Sequence, residues 1–152
     1  MLFRSVCSPR NVERARLIGA DHVIDYTHED FTRSAVRYDL ILGANAHHSI
    51  FDYRRALSPN GIFVMVGGGL TRILQAACLG PLLSRIGNKK MRFFIAKINE
   101  RDLHLLKDLL EAGKIVPVID RRYPLGEVAE ALRYREEGHA QGKVVVIVDP
   151  VR

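Results

Sequence analysis

Cys7-Ser8-Pro9-Arg10-Asn11 follows the first apolar run of the chain, residues 2–7. A hydroxyl and a guanidinium at the end of a strand suit a phosphate ester, whereas an acid there would suit a ribose hydroxyl. Ser8 also has the chemistry of a helix N-cap and Pro9 that of a first-turn residue, so capping by Ser8 and a solvated Arg10 is the plainer alternative. The two readings can coexist. Gly67-Gly68-Gly69 closes a second apolar run and would let backbone approach a flat ring or a sugar, or simply form a flexible turn. None of the six histidines forms an i, i+4 pair, and adjacent His47 and His48 cannot both face one ion from a regular element. We expect no metal site. No glycine-flanked serine elbow, no phosphate-cradling loop before a lysine and no paired catalytic carboxylates occur, which removes hydrolase and kinase chemistry.

The elements that must position these residues alternate between strand and helix. Strands are expected at residues 2–7, 22–25, 38–42, 62–66, 91–96, 116–119 and 143–148. Helices are expected from Pro9 to a stop at Gly19, weakly over 29–34, and over 48–57, 70–83, 99–113 and 125–138. Ile50, Tyr53 and Leu57 recur at helical spacing, as do Leu125, Val128, Ala129 and Leu132, whose stripe predicts a buried face. Asn99 is placed to cap its helix. The unbroken apolar run Ile62-Phe63-Val64-Met65-Val66 predicts a strand covered on both faces of a parallel sheet. Such alternation points to a parallel α/β fold, in which ligands bind at the carboxyl ends of strands. The loops at Ser8, Gly43 and Gly67 are therefore the ones to watch.

A chain of 152 residues, 47% hydrophobic and 26% charged, has the makings of one ordinary soluble domain or a piece of something larger. Its formal charge of +6 gathers partly between Arg85 and Arg92, where Lys89 and Lys90 also stand. The other basic residues are scattered among acids and no recognition motif accompanies them, so no nucleic-acid partner is expected. A phosphorylated small molecule would use the same charge. Cys7 and Cys78 are too few and too far apart for a disulfide framework or a four-thiolate zinc site, and a reducing, cytoplasmic setting follows. The N-terminal apolar run is too short for a signal peptide, and charge, proline and glycine interrupt residues 61–83, so no membrane span is expected.

Three segments taken together resemble the coenzyme domain of medium-chain dehydrogenases/reductases: Ala15-Arg16-Leu17-Ile18-Gly19-Ala20-Asp21-His22-Val23-Ile24-Asp25-Tyr26, then Tyr38-Asp39-Leu40-Ile41-Leu42, then Leu57-Ser58-Pro59-Asn60-Gly61. The tail is similar to the C-terminal end of the zinc-free quinone oxidoreductase branch, through Leu110-Glu111-Ala112-Gly113-Lys114, Pro117-Val118-Ile119-Asp120, Tyr123-Pro124-Leu125 and Gly138-His139-Ala140-Gln141-Gly142-Lys143-Val144-Val145. The resemblance implies an incomplete doubly wound parallel (Rossmann-like) sheet lacking its first strand over residues 1–98. Residues 99–152 would then be a C-terminal α/β segment that in the family returns to the catalytic domain. It implies NADPH as cofactor, with the 2′-phosphate at Ser8 and Arg10 and further cofactor contact at Gly43, Ala44, Asn45, Gly67, Gly68 and Lys143. Where relatives tend to have an Asp or Asn followed by Val-Gly, this chain has Gly43-Ala44-Asn45-Ala46-His47-His48. No residue is nominated as proton donor.

In the family's strand order, 3-2-1-4-5-6, the strand at residues 2–7 is the second, so the middle position is expected to be vacant, with a neighbour ~4.8 Å to either side. Unpaired buried amides cost ~1–3 kcal/mol each, so the two raw edges predict a homo-oligomer, a strand-exchanged dimer or a change of register. Two functions fit. One is an NADPH-dependent reductase of quinone-like or enone-like small molecules, or a fragment of one; the other is a non-catalytic remnant or interaction module that keeps the fold.

Overall fold

The computed structural model describes residues 2–67, 69–95, 97–138 and 140–148. It divides into two compact units, residues 1–96 and 97–152.

The first unit is built from β1 (Arg4–Cys7), α1 (Val12–Leu17), β2 (His22–Asp25), β3 (Tyr38–Gly43), α2 (Ile50–Ala56), β4 (Leu57–Met65), α3 (Leu70–Arg85) and β5 (Lys90–Phe93). β1 runs parallel to β2, with Arg4 opposite His22 and Cys7 opposite Asp25. β3, β4 and β5 form a second parallel sheet, in which Ile41, Phe63 and Met91 stand in one cross-strand row. The α/β class with parallel strands is as expected. Among the described residues β1 pairs only with β2 and β3 only with β4, so the first strand does not lie beside Leu40 and Ile41.

Helix ends follow from local chemistry. Residues Pro9–Asn11 form a 3-10 turn before α1, and Gly19, at φ +104°, takes the backbone out of the helix. Ser8 stands at the N-cap position but makes no capping bond; its Oγ accepts from Asn11 Nδ2 at 3.2 Å. α2 starts with a capping box in which Ser49 and Asp52 serve each other's backbone amides. Asn99 caps the helix that follows it, as its chemistry predicts.

Three expectations need correction in this unit. Residues 29–34 do not form a helix, because the Asp30 carboxylate takes the Thr32 amide at 2.9 Å and its hydroxyl at 2.7 Å, which fixes a turn instead. The strand expected over 91–96 ends at Phe93. The central strand is covered on one face only: Phe63 and Met65 are buried, while Ile62 and Val64 are half-buried and Val66 is exposed. The physical reason is that α2 and α3 pack on the same side, where Ile41, Phe63, Met65 and Met91 meet Tyr53, Ala56 and Ala76. Leu40 and Leu42, on the opposite side of β3, remain 46% and 63% exposed.

Tyr53 stacks on Phe63 with ring centroids 4.3 Å apart and planes 15° from parallel, which anchors α2 to the sheet. The β1–β2 sheet joins the same core through Ile24 and through Phe31, whose ring meets Tyr38 edge-on at 5.8 Å.

The second unit holds α4 (Glu100–Glu111), β6 (Ile119–Pro124), α5 (Val128–Glu136) and β7 (Lys143–Ile147), with β6 parallel to β7. The strand expected at 116–119 is displaced toward the C-terminus. Pro117 offers no amide to a ladder, and pairing starts at Ile119 opposite Lys143. Here too the buried helix face differs from the expected one: Ala131 is buried, whereas Leu125, Val128 and Leu132 are exposed. The apolar residues of α4 are likewise exposed at Leu103, Leu106 and Leu110.

Candidate functional site

Two loops converge at the carboxyl ends of β3 and β4. β3 ends at Gly43 and turns through Ala44 and Asn45; β4 ends at Met65 and leads to Gly67. Val66 donates its amide to the Gly43 carbonyl at 2.9 Å, and Ala46 donates to the Gly67 carbonyl at 3.3 Å. Both glycines have a steric cause. A Cβ on Gly43 would lie 3.0 Å from the Phe63 ring and 3.2 Å from the Ala46 methyl, and one on Gly67 would lie 3.0 Å from the Ala44 carbonyl oxygen. Gly67 also has φ +134°, a conformation that side chains resist.

Beside these loops opens an apolar pocket of about 200 Å³, lined by Met65, Val66, Gly67, Ile73, Phe93, Phe94 and Ile95. It sits where β4 and β5 end and α3 begins. Of its lining, reading the residues singled out only Gly67. The signal available was the run Phe93-Phe94-Ile95, which continues apolar past the point where the strand stops; periodicity cannot separate such a run from core strand.

The remaining expected site residues fall in three places. Gly43, Ala44, Asn45 and Gly67 come together as described, with Ala44 and Asn45 exposed. Ser8, half-buried, and Arg10, exposed, stand at the carboxyl end of β1, in the other sheet of the unit. Lys143 opens β7 in the second unit, its amide on the Val118 carbonyl at 2.7 Å. Gly68 lies outside the described residues.

The end of β1 has distinctive chemistry. The turn from β1 to α1 contains no glycine, and the Oδ1 of Asn11, beside Ser8, is buried without a hydrogen-bond donor. Burial, reinforced by the negative charge of Asp25 across the ladder, pushes the Cys7 thiol up, away from the thiolate form. Asp25 itself is committed. Desolvation works to raise its pKa, but hydrogen bonds from the Thr27 amide, the Thr27 hydroxyl and His28 prevail and hold it below the usual carboxylate range. His48 has a packing role: its ring stands edge-on against Phe31 at 5.5 Å and Tyr53 at 5.8 Å. Among the described residues no group of three or more His, Cys, Asp or Glu is arranged to hold a metal ion.

A second groove of about 200 Å³ lies in the second unit between β6 and α5, lined by Arg121, Tyr123, Glu130, Arg133, Tyr134 and Glu137. Its lining carries both guanidiniums and carboxylates, and Arg121 is held over the Tyr134 ring at 3.9 Å. None of the expected site residues lines it.

The family model described as "Zinc-binding dehydrogenase" matches residues 18–146, most of the chain. The chain belongs to the medium-chain dehydrogenase/reductase family. Its relatives within that family include the mouse "NAD(P)H oxidoreductase RTN4IP1, mitochondrial", 31% identical over 95% of this chain and 41% of the relative. An Arabidopsis thaliana protein, "NADPH-dependent alkenal/one oxidoreductase, chloroplastic", is 30% identical over 96% of this chain and 33% of its own length. The quinone oxidoreductase of Coxiella burnetii shares the fold with a TM-score of 0.68 at 22% identity, over 98% of this chain and 44% of that one. This medium-chain dehydrogenase/reductase chain therefore spans less than half the length of the relatives it matches.

Proposed function

We propose that the protein is an NADPH-dependent oxidoreductase of the quinone- or enone-reducing type, to which this chain contributes coenzyme-binding surface. The observation that carries the reading is the meeting of the Gly43 and Gly67 loops beside an apolar pocket at the strand ends, in a chain of this family. Ligands of open α/β sheets bind at such ends. When bound, the nicotinamide supplies a hydride to an electrophilic carbon of the substrate. The chain's own part is orientation. The Gly67 backbone and the Ala44 turn flank the ring's approach, Val66, Ile73 and Phe94 exclude water, and the Ser8 hydroxyl with the Arg10 guanidinium suits a 2′-phosphate. Asn45 and Gly68 complete the proposed contact set of the first unit, and Lys143 is kept as a separate candidate in the second. Relatives named for NADPH and for quinones support the cofactor and the substrate class.

A second reading, a non-catalytic remnant or interaction module, is favoured by the Gly43-Ala44-Asn45 loop, which departs from the family's pattern, and by the edges of β1 and β3 that pair with no further strand among the described residues. As part of the first reading we place a strand from a second copy between those edges, giving a homo-oligomer or strand-exchanged dimer in a cytoplasmic, reducing setting. Cys7 and Cys78 are free thiols, and no helix among the described residues is long and apolar enough to cross a membrane.

Calorimetric titration of NADPH into the chain decides between the readings. Saturable binding with a Kd in the micromolar range, roughly −8 kcal/mol, supports a working coenzyme site. Absence of heat up to millimolar ligand leaves only the interaction module.

A further inference from the structure

At the opposite, amino end of the β3–β4–β5 sheet, three cations gather, and among the described residues none of them forms an ion pair with a carboxylate. Arg37 immediately precedes β3, Arg54 lies in the last turn of α2, and Lys89 immediately precedes β5. Each is tethered to backbone carbonyls. Lys89 Nζ donates to the Arg54 carbonyl at 2.9 Å, Arg54 Nη2 to the Ile86 carbonyl at 2.5 Å, and Arg37 Nη1 to the carbonyls of Ser34 and Val36 at 2.7 and 3.0 Å. Carbonyl bonds fix the position of these groups but leave their charge unneutralised. The carboxylates on the same elements are engaged elsewhere: Asp39 accepts from Ser58, and Asp52 from Ser49 and Arg55.

Two further observations show that the cluster is unbalanced. Arg54 Nε is buried and has no acceptor, so its guanidinium is incompletely satisfied. Burial, and then the like charges of Arg54 and Arg37, lower the pKa of Lys89 below the ordinary lysine value. A lysine beside two arginines in a half-buried position is stabilised when an anion joins them.

We propose that Arg37, Arg54 and Lys89 form a binding site for the oxyanion of a phosphoryl group, separate from the coenzyme surface. The tethers leave most of the donors available, since an ammonium carries three and a guanidinium five, and a tetrahedral dianion offers acceptors in several directions at once. Exposed Lys90 and Arg85, next to Lys89 along the chain and at the end of α3, add further positive charge. From Arg37 to Gly43 the sheet spans roughly 20 Å, so one small ligand does not reach both sites.

The test is isothermal titration of the full chain with inorganic phosphate and, in a separate arm, phenyl phosphate, at ionic strength held constant with sodium chloride. The expected result is saturable binding with a component that Lys89→Gln and Arg37→Gln each weaken about tenfold or more, and that Arg101→Gln, on α4 of the second unit, leaves unchanged. Arg37→Gln guards against a folding defect in the lysine variant, because the Arg37 side chain binds only loop carbonyls. Tighter binding of phenyl phosphate assigns a phosphomonoester; tighter binding of inorganic phosphate assigns the free ion. The proposal is overturned by a lack of saturation, by phosphate binding indifferent to both variants, by loss of that component in Arg101→Gln, or by retention on duplex DNA that depends on these cations while phosphate does not bind.

Discussion

The amide of Ala46 donates to the carbonyl of Gly67 at 3.3 Å, and this bond joins the loop after β3 to the loop after β4. The absence of a side chain at Gly67 favours it, since a Cβ would press on the carbonyl oxygen of Ala44, two residues before Ala46. The convergence of the two loops thus rests on backbone geometry.

Gly67→Ala therefore destabilises the first unit. The substitution forces a side chain into φ +134° and into a 3.0 Å contact. We expect a loss of about 1–3 kcal/mol in the free energy of unfolding, read from the urea midpoint. An unchanged midpoint would show that the loop relaxes freely and that the pocket wall is not held from this side.

Cofactor choice is predicted to depend on the end of β1. If Ser8 and Arg10 receive a 2′-phosphate, the double variant Ser8→Ala, Arg10→Gln weakens NADPH by about 1.5–3 kcal/mol while NADH is nearly unaffected, because charge-assisted bonds are lost only for the phosphorylated ribose. Titration of both nucleotides gives the comparison. Equal losses for the two would sink the assignment.

Acid sensitivity follows from three aspartates. The Ser49 hydroxyl, then its amide and Arg55, keep Asp52 below the usual carboxylate value despite some desolvation. For Asp30 and Asp25 desolvation is the largest influence and acts upward, yet hydrogen bonds from Thr32, and from Thr27 and His28, win. A carboxylate depressed in the folded state binds fewer protons there than in the unfolded chain. Its contribution is complete above the unfolded value, about 3.9, and disappears as the pH falls through the folded value. Stability from these groups is thus level from pH 7 to 5 and declines below about pH 4. Asp52→Asn should make that decline shallower in urea melts; an identical slope would exclude Asp52 as a contributor.

The edges of β1 and β3 that pair with no further strand among the described residues predict self-association. Sedimentation velocity across a concentration series is expected to reveal a dimer or larger species, and Leu42→Lys on the exposed face of β3 to leave strand pairing intact while lowering any lateral contact. A chain that stays monomeric at all concentrations, with protected amides along both edges, contradicts strand exchange.

Ring packing sets the largest single stability effect. Phe63 is 1% exposed and stacked on Tyr53. Truncation to alanine leaves a cavity beneath α2, at a cost of about 3–5 kcal/mol in chemical denaturation. A cost below about 1 kcal/mol would mean that the core collapses around the gap.

Much of the fold was legible in the residues. Gly19 marks the end of a helix because few other residues tolerate its φ, Asn99 announces a helix start because its side chain serves the amide of Asp102, and the apolar runs at residues 38–42 and 62–66 are long enough for strands and too short for helices. What pattern could not tell was which apolar face is covered. Ile62 and Val64 have the same hydrophobicity as Phe63 and Met65, and Leu132 has more than Ala131, yet in each pair the burial differs. The turn at Asp30 was missed for a related reason. A carboxylate that takes two bonds from Thr32 outweighs a weak helical preference, and such local competition is visible only in coordinates.

The amino-acid sequence by itself determined the α/β class, the family, the positions of the strand-end loops and the chemistry of Ser8 and Arg10, because periodicity, caps and glycine stops are properties of neighbours along the chain. Only the tertiary structure decided that the Gly43 and Gly67 loops touch, that Phe93, Phe94 and Ile95 wall a pocket, and that Arg37, Arg54 and Lys89 share one end of a sheet. Those are contacts between residues distant in sequence, set by strand register and by which side of the sheet a helix happens to cover, and no local pattern encodes either.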